Sequence, residues 1–284
     1  MEIKKIGVVG AGMMGAEIAL SFAQSGYTVA MTDISDEFAA KGKERQDSIL
    51  SKRVAKGKMS EEEKSEILAR VTASGDIAVC ADCDIVIEAV LEIIEVKTET
   101  YKKLEAVCKK ECIIASNTSS ISITKLAAGV SKEKAAYFIG THFNSPASIM
   151  KLVEVVPGIL TKSEVTESVY ELLKAIGKEP IRVKDVTGFA LNRMFHVFYA
   201  EAERLVEEGV CSIEDVDKIC IHGLGHPVGI FKLLDNLGHD LNIKVDTILY
   251  EAYGERFRPS PYMQRLVDAG LYGKKSGEGF YKYE

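Results

Sequence analysis

Three glycines, Gly10, Gly12 and Gly15, stand directly after the apolar run at residues 6–9, and an acid, Asp33, closes the next apolar run. This is G-x-G-x-x-G with a carboxylate about 20 residues on, the spacing of a dinucleotide-binding turn. Gly10 permits the tight turn, Gly12 lets the backbone approach a pyrophosphate, and Gly15 lets the following helix pack against the strand. The N–H groups at the start of that helix, around Gly12, Met13 and Met14, face the phosphates at the positive end of the helix dipole. Asp33 is suited to accept both ribose hydroxyls of an adenosine and would repel a 2′-phosphate. No Arg follows at residues 34–37, so the expected cofactor is NAD rather than NADP.

A second set of residues could move a proton. The segment T-H-F-N-S-P-A-S-I-M-K-L-V-E-V reads strand, turn, strand, with His142 ending the first strand and Glu154 inside the second. If the chain folds back about Asn144-Ser145-Pro146, the imidazole and the carboxylate face each other. An acid in the apolar strand Leu152, Val153, Val155, Val156 needs such a partner. An imidazole, with an ordinary pKa of about 6.5, suits a general base at neutral pH. A carboxylate on its other nitrogen sets the tautomer. A purely structural pair stapling two strands fits the spacing equally well. Two polar clusters lie nearby in the expected fold: Ser116-Asn117-Thr118-Ser119-Ser120 after an apolar strand, where ligands of a parallel sheet bind, and Thr187 to Arg193, including Asn192, at the start of a long helix. Capping and turn roles compete for both.

The elements that must position these groups alternate through the first two-thirds of the chain. Apolar runs predict strands at residues 6–9, 28–32, 85–89, 112–116, 136–141, 150–156 and 181–183. Helical periodicity predicts helices at 14–25, 37–56, 60–70 and 163–176, with Ser60 and Glu63 as a capping box. Beyond Asp185 the pattern is helical, with helices expected at 189–208, after Ser212, and at 233–253. The expected fold class is α/β: an N-terminal doubly wound Rossmann-type sheet (residues 1–184) with a C-terminal all-helical domain (residues 185–284). By fold-level analogy, the helical domain closes the substrate cleft and forms a dimer. The 284 residues carry a net charge of -6, which offers no general attraction to nucleic acid or an anionic membrane. No apolar run has membrane-spanning length, and the chain opens on a strand with no leader, which predicts a cytoplasmic protein or a mature form already trimmed.

The ordered set G-A-G-M-M-G, D-I-V-I-E-A-V-L-E, A-S-N-T-S-S, H-F…P-A-S-I-M-K-L-V-E-V, G-F-A-L-N-R and G-K-K-S-G-E-G-F-Y-K-Y resembles the 3-hydroxyacyl-CoA dehydrogenase family, in particular its bacterial members acting on 3-hydroxybutyryl-CoA. The match covers essentially the whole chain. The resemblance implies His142 as catalytic base with Glu154 orienting it, and Ser119 and Asn192 holding the substrate oxygen. It also implies Glu92, Lys97 and Asn117 near the nicotinamide end of NAD, Ser119 touching cofactor as well as substrate, and Lys275 reaching the cofactor. The implied reaction is oxidation of (S)-3-hydroxyacyl-CoA, with reduction of acetoacetyl-CoA as the reverse, in the setting of fatty acid metabolism or butyrate fermentation. In one place the chain departs from the family pattern H-F-F-N-P: Ser145 occupies the asparagine position, and the asparagine stands at 144.

The remaining signals are weaker. Lys52, Arg53, Lys56 and Lys58 form a basic cluster that suits the phosphates of coenzyme A, and equally a solvated helix end. No metal site is expected. Cys80-x-x-Cys83 and Cys108-x-x-x-Cys112 have no histidine close by in sequence, Asp82 and Asp84 disfavour a thiolate, and His222-x-x-x-His226 sits among Gly223, Gly225 and Pro227. His196 and His239 have no partner readable from spacing. Two other readings stand beside the leading one: an NAD-dependent dehydrogenase of a free hydroxy acid, carnitine- or gulonate-like, and a non-catalytic NAD-binding paralogue.

Overall fold

A computed structural model describes residues 2–283, and the chain divides into two compact units between Val186 and Thr187. In the first unit eight strands form one sheet: β1 (Lys5–Val9), β2 (Thr28–Thr32), β3 (Val71–Ser74), β4 (Ile85–Glu88), β5 (Ile113–Ser116), β6 (Phe138–Phe143), β7 (Leu152–Pro157) and β8 (Glu179–Arg182). Their order is β3-β2-β1-β4-β5-β6-β7-β8. The first six run parallel, β7 is antiparallel to β6, and β8 is parallel to β7. The strand order reverses direction at β1 and β4, which makes the carboxyl ends of those strands the crevice where such sheets bind ligands.

The helices of this unit are α1 (Met13–Gln24), α2 (Asp36–Ala55), α3 (Glu61–Ala69), α4 (Ile94–Val107), α5 (Ile123–Ala127), α6 (Lys132–Ala135) and α7 (Ser163–Ala175). α1 buries Ile18, Leu20 and Phe22 completely against strand residues such as Ile6, Val8 and Val29. Each such side chain contributes roughly 1.5–3 kcal/mol by leaving water. Ser35 caps α2, and the Ser60–Glu63 box closes α3 in both directions. Strand β3 and helices α5 and α6 have no counterpart among the expected elements. They are only four or five residues long, too short to show a period.

The second unit is helical: α8 (Leu191–Glu207), α9 (Ile213–Lys218), α10 (Ile230–Leu237), α11 (His239–Tyr253) and α12 (Pro261–Asp268). Its core gathers Tyr199, Val216, Phe231, Leu234 and Met263. The run expected as one helix over 233–253 is two, because Gly238 has φ +99°, a conformation that ends one helix and opens the next. The long helix begins at Leu191 rather than 189, since Phe189 has φ +47° and cannot be helical. The C-terminal strap is tied down by Asp235, which accepts the N–H groups of Phe280 and Tyr281 at 2.9 Å each and the Tyr283 hydroxyl at 2.7 Å. Among the described residues, no helix is long and apolar enough to cross a membrane.

Candidate active site

The turn between β1 and α1 has the form its glycines require. Gly10 has φ +95°, and a Cβ there would lie 2.6 Å from the Ala89 carbonyl oxygen. At Gly15 a Cβ would fall 1.7 Å from the Gly10 carbonyl oxygen, so only glycine lets α1 approach the turn. A Cβ at Gly12 would meet no atom within 4 Å. Side-chain space is therefore open in front of the Gly12 backbone, where a pyrophosphate has to approach. No side chain caps α1 and no acid lies in its first turn, so its leading N–H groups suit an anion. Asp33 Oδ2 accepts Ala11 N–H at 2.6 Å, which holds this carboxylate against the turn, and its Oδ1 accepts Ile34 N–H at 2.7 Å. This set fits the NAD that the resemblance implies.

His142 and Glu154 are register partners across the antiparallel β6–β7 pair. The ring Nδ1 lies 2.8 Å from Glu154 Oε2; the histidine is 7% exposed and the glutamate 0%. His142 was expected to end its strand but lies inside it, because β6 runs on through Phe143. The Asn144 side-chain amide donates to the Leu152 carbonyl at 3.1 Å and closes the hairpin, while Ser145 is exposed. Neighbouring elements clamp the hairpin tip. Glu17 on α1 accepts the Ser148 N–H and hydroxyl at 3.1 and 3.0 Å. The buried Lys178 donates to the Ala147 and Met150 carbonyls, and burial holds its pKa below the usual lysine range although Glu17 opposes the shift.

The loop after β5 carries Asn117 and Ser119. Asn117 Oδ1 accepts Phe143 N–H at 2.9 Å, which ties the loop to the strand of His142. Glu92 Oε1 accepts the Thr118 hydroxyl, the Ser119 N–H at 3.0 Å and the Ser120 N–H at 3.3 Å. Burial disfavours the charged form of Glu92, but the Lys97 ammonium and the bonds from Thr118 and Ser119 outweigh it and hold the carboxyl below its usual pKa. Lys97 is 1% exposed and lies 3.2 Å from Glu92 Oε2 and 2.6 Å from Glu88 Oε1. Glu88 Oε1 also accepts Val90 N–H at 2.8 Å. Its Oε2 accepts the Ser116 hydroxyl at 2.9 Å and the Tyr101 hydroxyl, whose own ionisation is pushed well up by burial and this acid. The strand at 85–89 reads as apolar, yet it carries the buried acid Glu88. The signal that singles out Glu154, an acid inside an apolar strand, applies to Glu88 as well.

The other expected site residues lie each within its own unit. Asn192 lies in the first turn of α8, and Lys275 bonds to Asp240 in its own unit. Lys52 and Arg53 sit in the last turn of α2, with Lys56 and Lys58 after it; Lys52, Lys56 and Lys58 are exposed. His196, without a readable partner in the sequence, has Nδ1 2.7 Å from Asp246 Oδ1 and from the Tyr199 hydroxyl. His239 Nε2 lies 2.8 Å from Asp235. Asp82 and Asp84 are engaged by Lys5 and Lys109, so they are not what governs the thiols. A neighbouring thiol first, then burial, pushes Cys80 and Cys112 far above the usual range.

A family description for the NAD binding domain of 3-hydroxyacyl-CoA dehydrogenase matches residues 5–186, and that for the C-terminal domain matches residues 188–283. A probable 3-hydroxybutyryl-CoA dehydrogenase of Deinococcus radiodurans is 41% identical over 280 residues, spanning 98% of this chain and 100% of the relative. Its counterpart in Bacillus subtilis is 39% identical across 100% of this chain and 99% of the relative. The crystal structure of (S)-3-hydroxybutyryl-CoA dehydrogenase from Ralstonia eutropha superposes with a TM-score of 0.94 at 39% identity, covering 100% of both chains. With both domains matched and the dinucleotide turn in place, the chain belongs to the 3-hydroxyacyl-CoA dehydrogenase family of NAD-dependent oxidoreductases.

Proposed function

We propose that the chain oxidises the 3-hydroxyl of (S)-3-hydroxybutyryl-CoA to the 3-oxo thioester and catalyses the reverse reduction of acetoacetyl-CoA. The observation that carries this reading is the buried contact of 2.8 Å between His142 Nδ1 and Glu154 Oε2. A carboxylate on Nδ1 keeps the proton there and leaves the Nε2 lone pair for the substrate hydroxyl. His142 then takes the hydroxyl proton, and Glu154 offsets the positive charge on the ring. NAD, when bound, accepts the hydride from C3 of the substrate. In the reverse direction His142 returns the proton to the forming alkoxide. Ser119 and Asn192 hold the substrate oxygen in this reading. The glycine turn, Met13, Met14 and Asp33 bind the adenosine and pyrophosphate end of the cofactor. Glu92, Lys97, Asn117, Ser119 and Lys275 serve its nicotinamide end.

Lys52, Lys56 and Lys58 meet the coenzyme A phosphates in this proposal, supported by their exposure on an otherwise acidic protein. The helical unit pairs with a second copy, supported by the exposed apolar side chains Met194, Ile219, Leu224 and Leu241. A reducing, cytoplasmic setting accords with six unpaired cysteines. The test is NADH turnover with acetoacetyl-CoA beside free acetoacetate, in the parent and in His142→Gln. Turnover confined to the thioester, and lost in His142→Gln with NADH binding retained, is the expected result. Preference for the free acid overturns the substrate assignment, and parent-level turnover in His142→Gln overturns the base.

A further inference from the structure

We propose that Glu88 is a positioning residue for the Ser119 loop, acting through Lys97 and Glu92. The inference rests on the reading above that Ser119 holds the reacting oxygen. Glu88 closes β4 at the carboxyl edge of the sheet, register-paired with Val9 on one side and Ser116 on the other, and it is 0% exposed. Both its oxygens are engaged: Oε1 by Val90 N–H and the Lys97 ammonium, Oε2 by the Tyr101 and Ser116 hydroxyls. Its carbonyl oxygen accepts Asn117 N–H at 2.8 Å, so the same residue sets where the loop leaves the sheet.

Lys97 lies between two carboxylates of different freedom. Glu88 is immobilised in the sheet, whereas the Glu92 side chain is 37% exposed. A buried ammonium needs charged partners. Glu88 satisfies it from a rigid strand end, which fixes the Lys97 Nζ position. Lys97 then offers its remaining hydrogen-bonding capacity to Glu92 Oε2 and holds that carboxylate inward. The other oxygen of Glu92 carries the load of the loop: the Thr118 hydroxyl, the Ser119 and Ser120 N–H groups, and the Ser120 hydroxyl at 3.3 Å. Without Glu88, Lys97 turns wholly to Glu92 and draws it away from the loop, and Ser119 loses its backbone anchor. Tyr101 braces the far oxygen of Glu88, its ring held edge-on to Phe138 with centroids 4.8 Å apart.

The test measures acetoacetyl-CoA reduction in Glu88→Gln, Ser119→Ala, their double variant, and Glu88→Gln/Lys97→Met, each checked for folding by circular dichroism. Loss of a charge-assisted anchor is expected to lower kcat about 10- to 100-fold in Glu88→Gln, with the KM for the thioester within about threefold. In the Ser119→Ala background the same change should have little further effect. Glu88→Gln/Lys97→Met removes the ammonium together with the carboxylate that fixes it, and kcat should stay low because nothing then holds Glu92 inward. Parent kcat in that variant overturns the inference, since neither Glu88 nor Lys97 would then be needed to hold the loop. A Ser119→Ala enzyme with parent kcat overturns the Ser119 role and the inference with it. A slow Ser119→Ala enzyme beside an unaltered Glu88→Gln enzyme, or multiplicative effects of the two, overturns the inference alone. If Glu88→Gln fails to fold, Tyr101→Phe keeps every charge and the ring packing; it should lower kcat about 3- to 10-fold, and parent kcat there overturns the proposal.

Discussion

Glu154→Gln isolates the charge of the proposed catalytic pair without changing its volume. Glu154 is 0% exposed and its Oε2 lies 2.8 Å from His142 Nδ1, so no solvent stands between the groups. When the ring takes up the hydroxyl proton it becomes positive next to a full negative charge. At this separation and an effective dielectric constant of about 20, the attraction is about 6 kcal/mol before compensation. A glutamine dipole recovers part of it, which leaves a net loss of about 2–4 kcal/mol in the transition state. That corresponds to a fall in kcat of roughly 30- to 1000-fold. The tautomer adds to the effect, because the glutamine amide can donate to Nδ1 and drive the ring proton onto Nε2, the atom that must accept. Glu154 is not among the residues proposed to bind the cofactor, so NADH affinity should stay within about threefold. Stopped-flow NADH absorbance gives kcat, NADH fluorescence gives the affinity, and a thermal melt shows that the protein is folded. A folded Glu154→Gln enzyme with kcat within about threefold of the parent would refute the reasoning, since the carboxylate charge would then have no part in the step.

Two further outcomes follow from charges elsewhere. Asp33→Ala removes the acceptor for Ala11 N–H and the charge that repels a 2′-phosphate, so the NAD KM should rise about tenfold or more and the preference over NADP should shrink; paired NAD and NADP kinetics check this. Glu203 on α8 is buried, and burial first, then the charges of Asp246 and Glu207, push its carboxyl up to about 9. Its folded pKa lies above the unfolded value, so the native state keeps a proton that the unfolded chain has lost. The stability of the helical unit therefore falls as pH rises from the ordinary glutamate range toward 9, by at most about 1.4 kcal/mol per pH unit. Glu203→Gln should flatten that decline. Urea unfolding at pH values of about 6 and 8 measures it, and parallel losses in parent and variant would reject the assignment.

The chemistry-bearing pairs were legible where a local period exposed them. Glycines at a fixed offset after an apolar run, and Asp33 at the end of the next, specify a turn that only glycine tolerates, at Gly10 for its positive φ and at Gly15 for the close approach of the Gly10 carbonyl. An acid within an apolar strand announced Glu154, and a single turn made its partner His142 readable at twelve residues' separation. The same signal lay in Glu88, but its partners come from α4 and β5, so no short-range pattern pointed to them. The break at Gly238 was hidden for a related reason, since apolar periodicity runs through a glycine whose positive φ splits the helix. No local spacing marks a partner for His196 or Glu203; both are buried, and α11 brings Asp246 close to them.

By itself, then, the order of residues determined the strand–turn–helix that receives a dinucleotide, the alternation that builds a parallel sheet, and the hairpin that joins an imidazole to a carboxylate. Each depends on neighbours within one or two elements, where backbone geometry dictates which side chains share a face. Only the tertiary structure decided that Lys97 is buried between Glu88 and Glu92, that Glu17 and Lys178 clamp the tip of the hairpin, and that Asp235 secures the C-terminal strap. Those contacts join residues distant in the chain, and burial in a low-dielectric interior gives a charge its partner and its proton affinity only after the chain has folded.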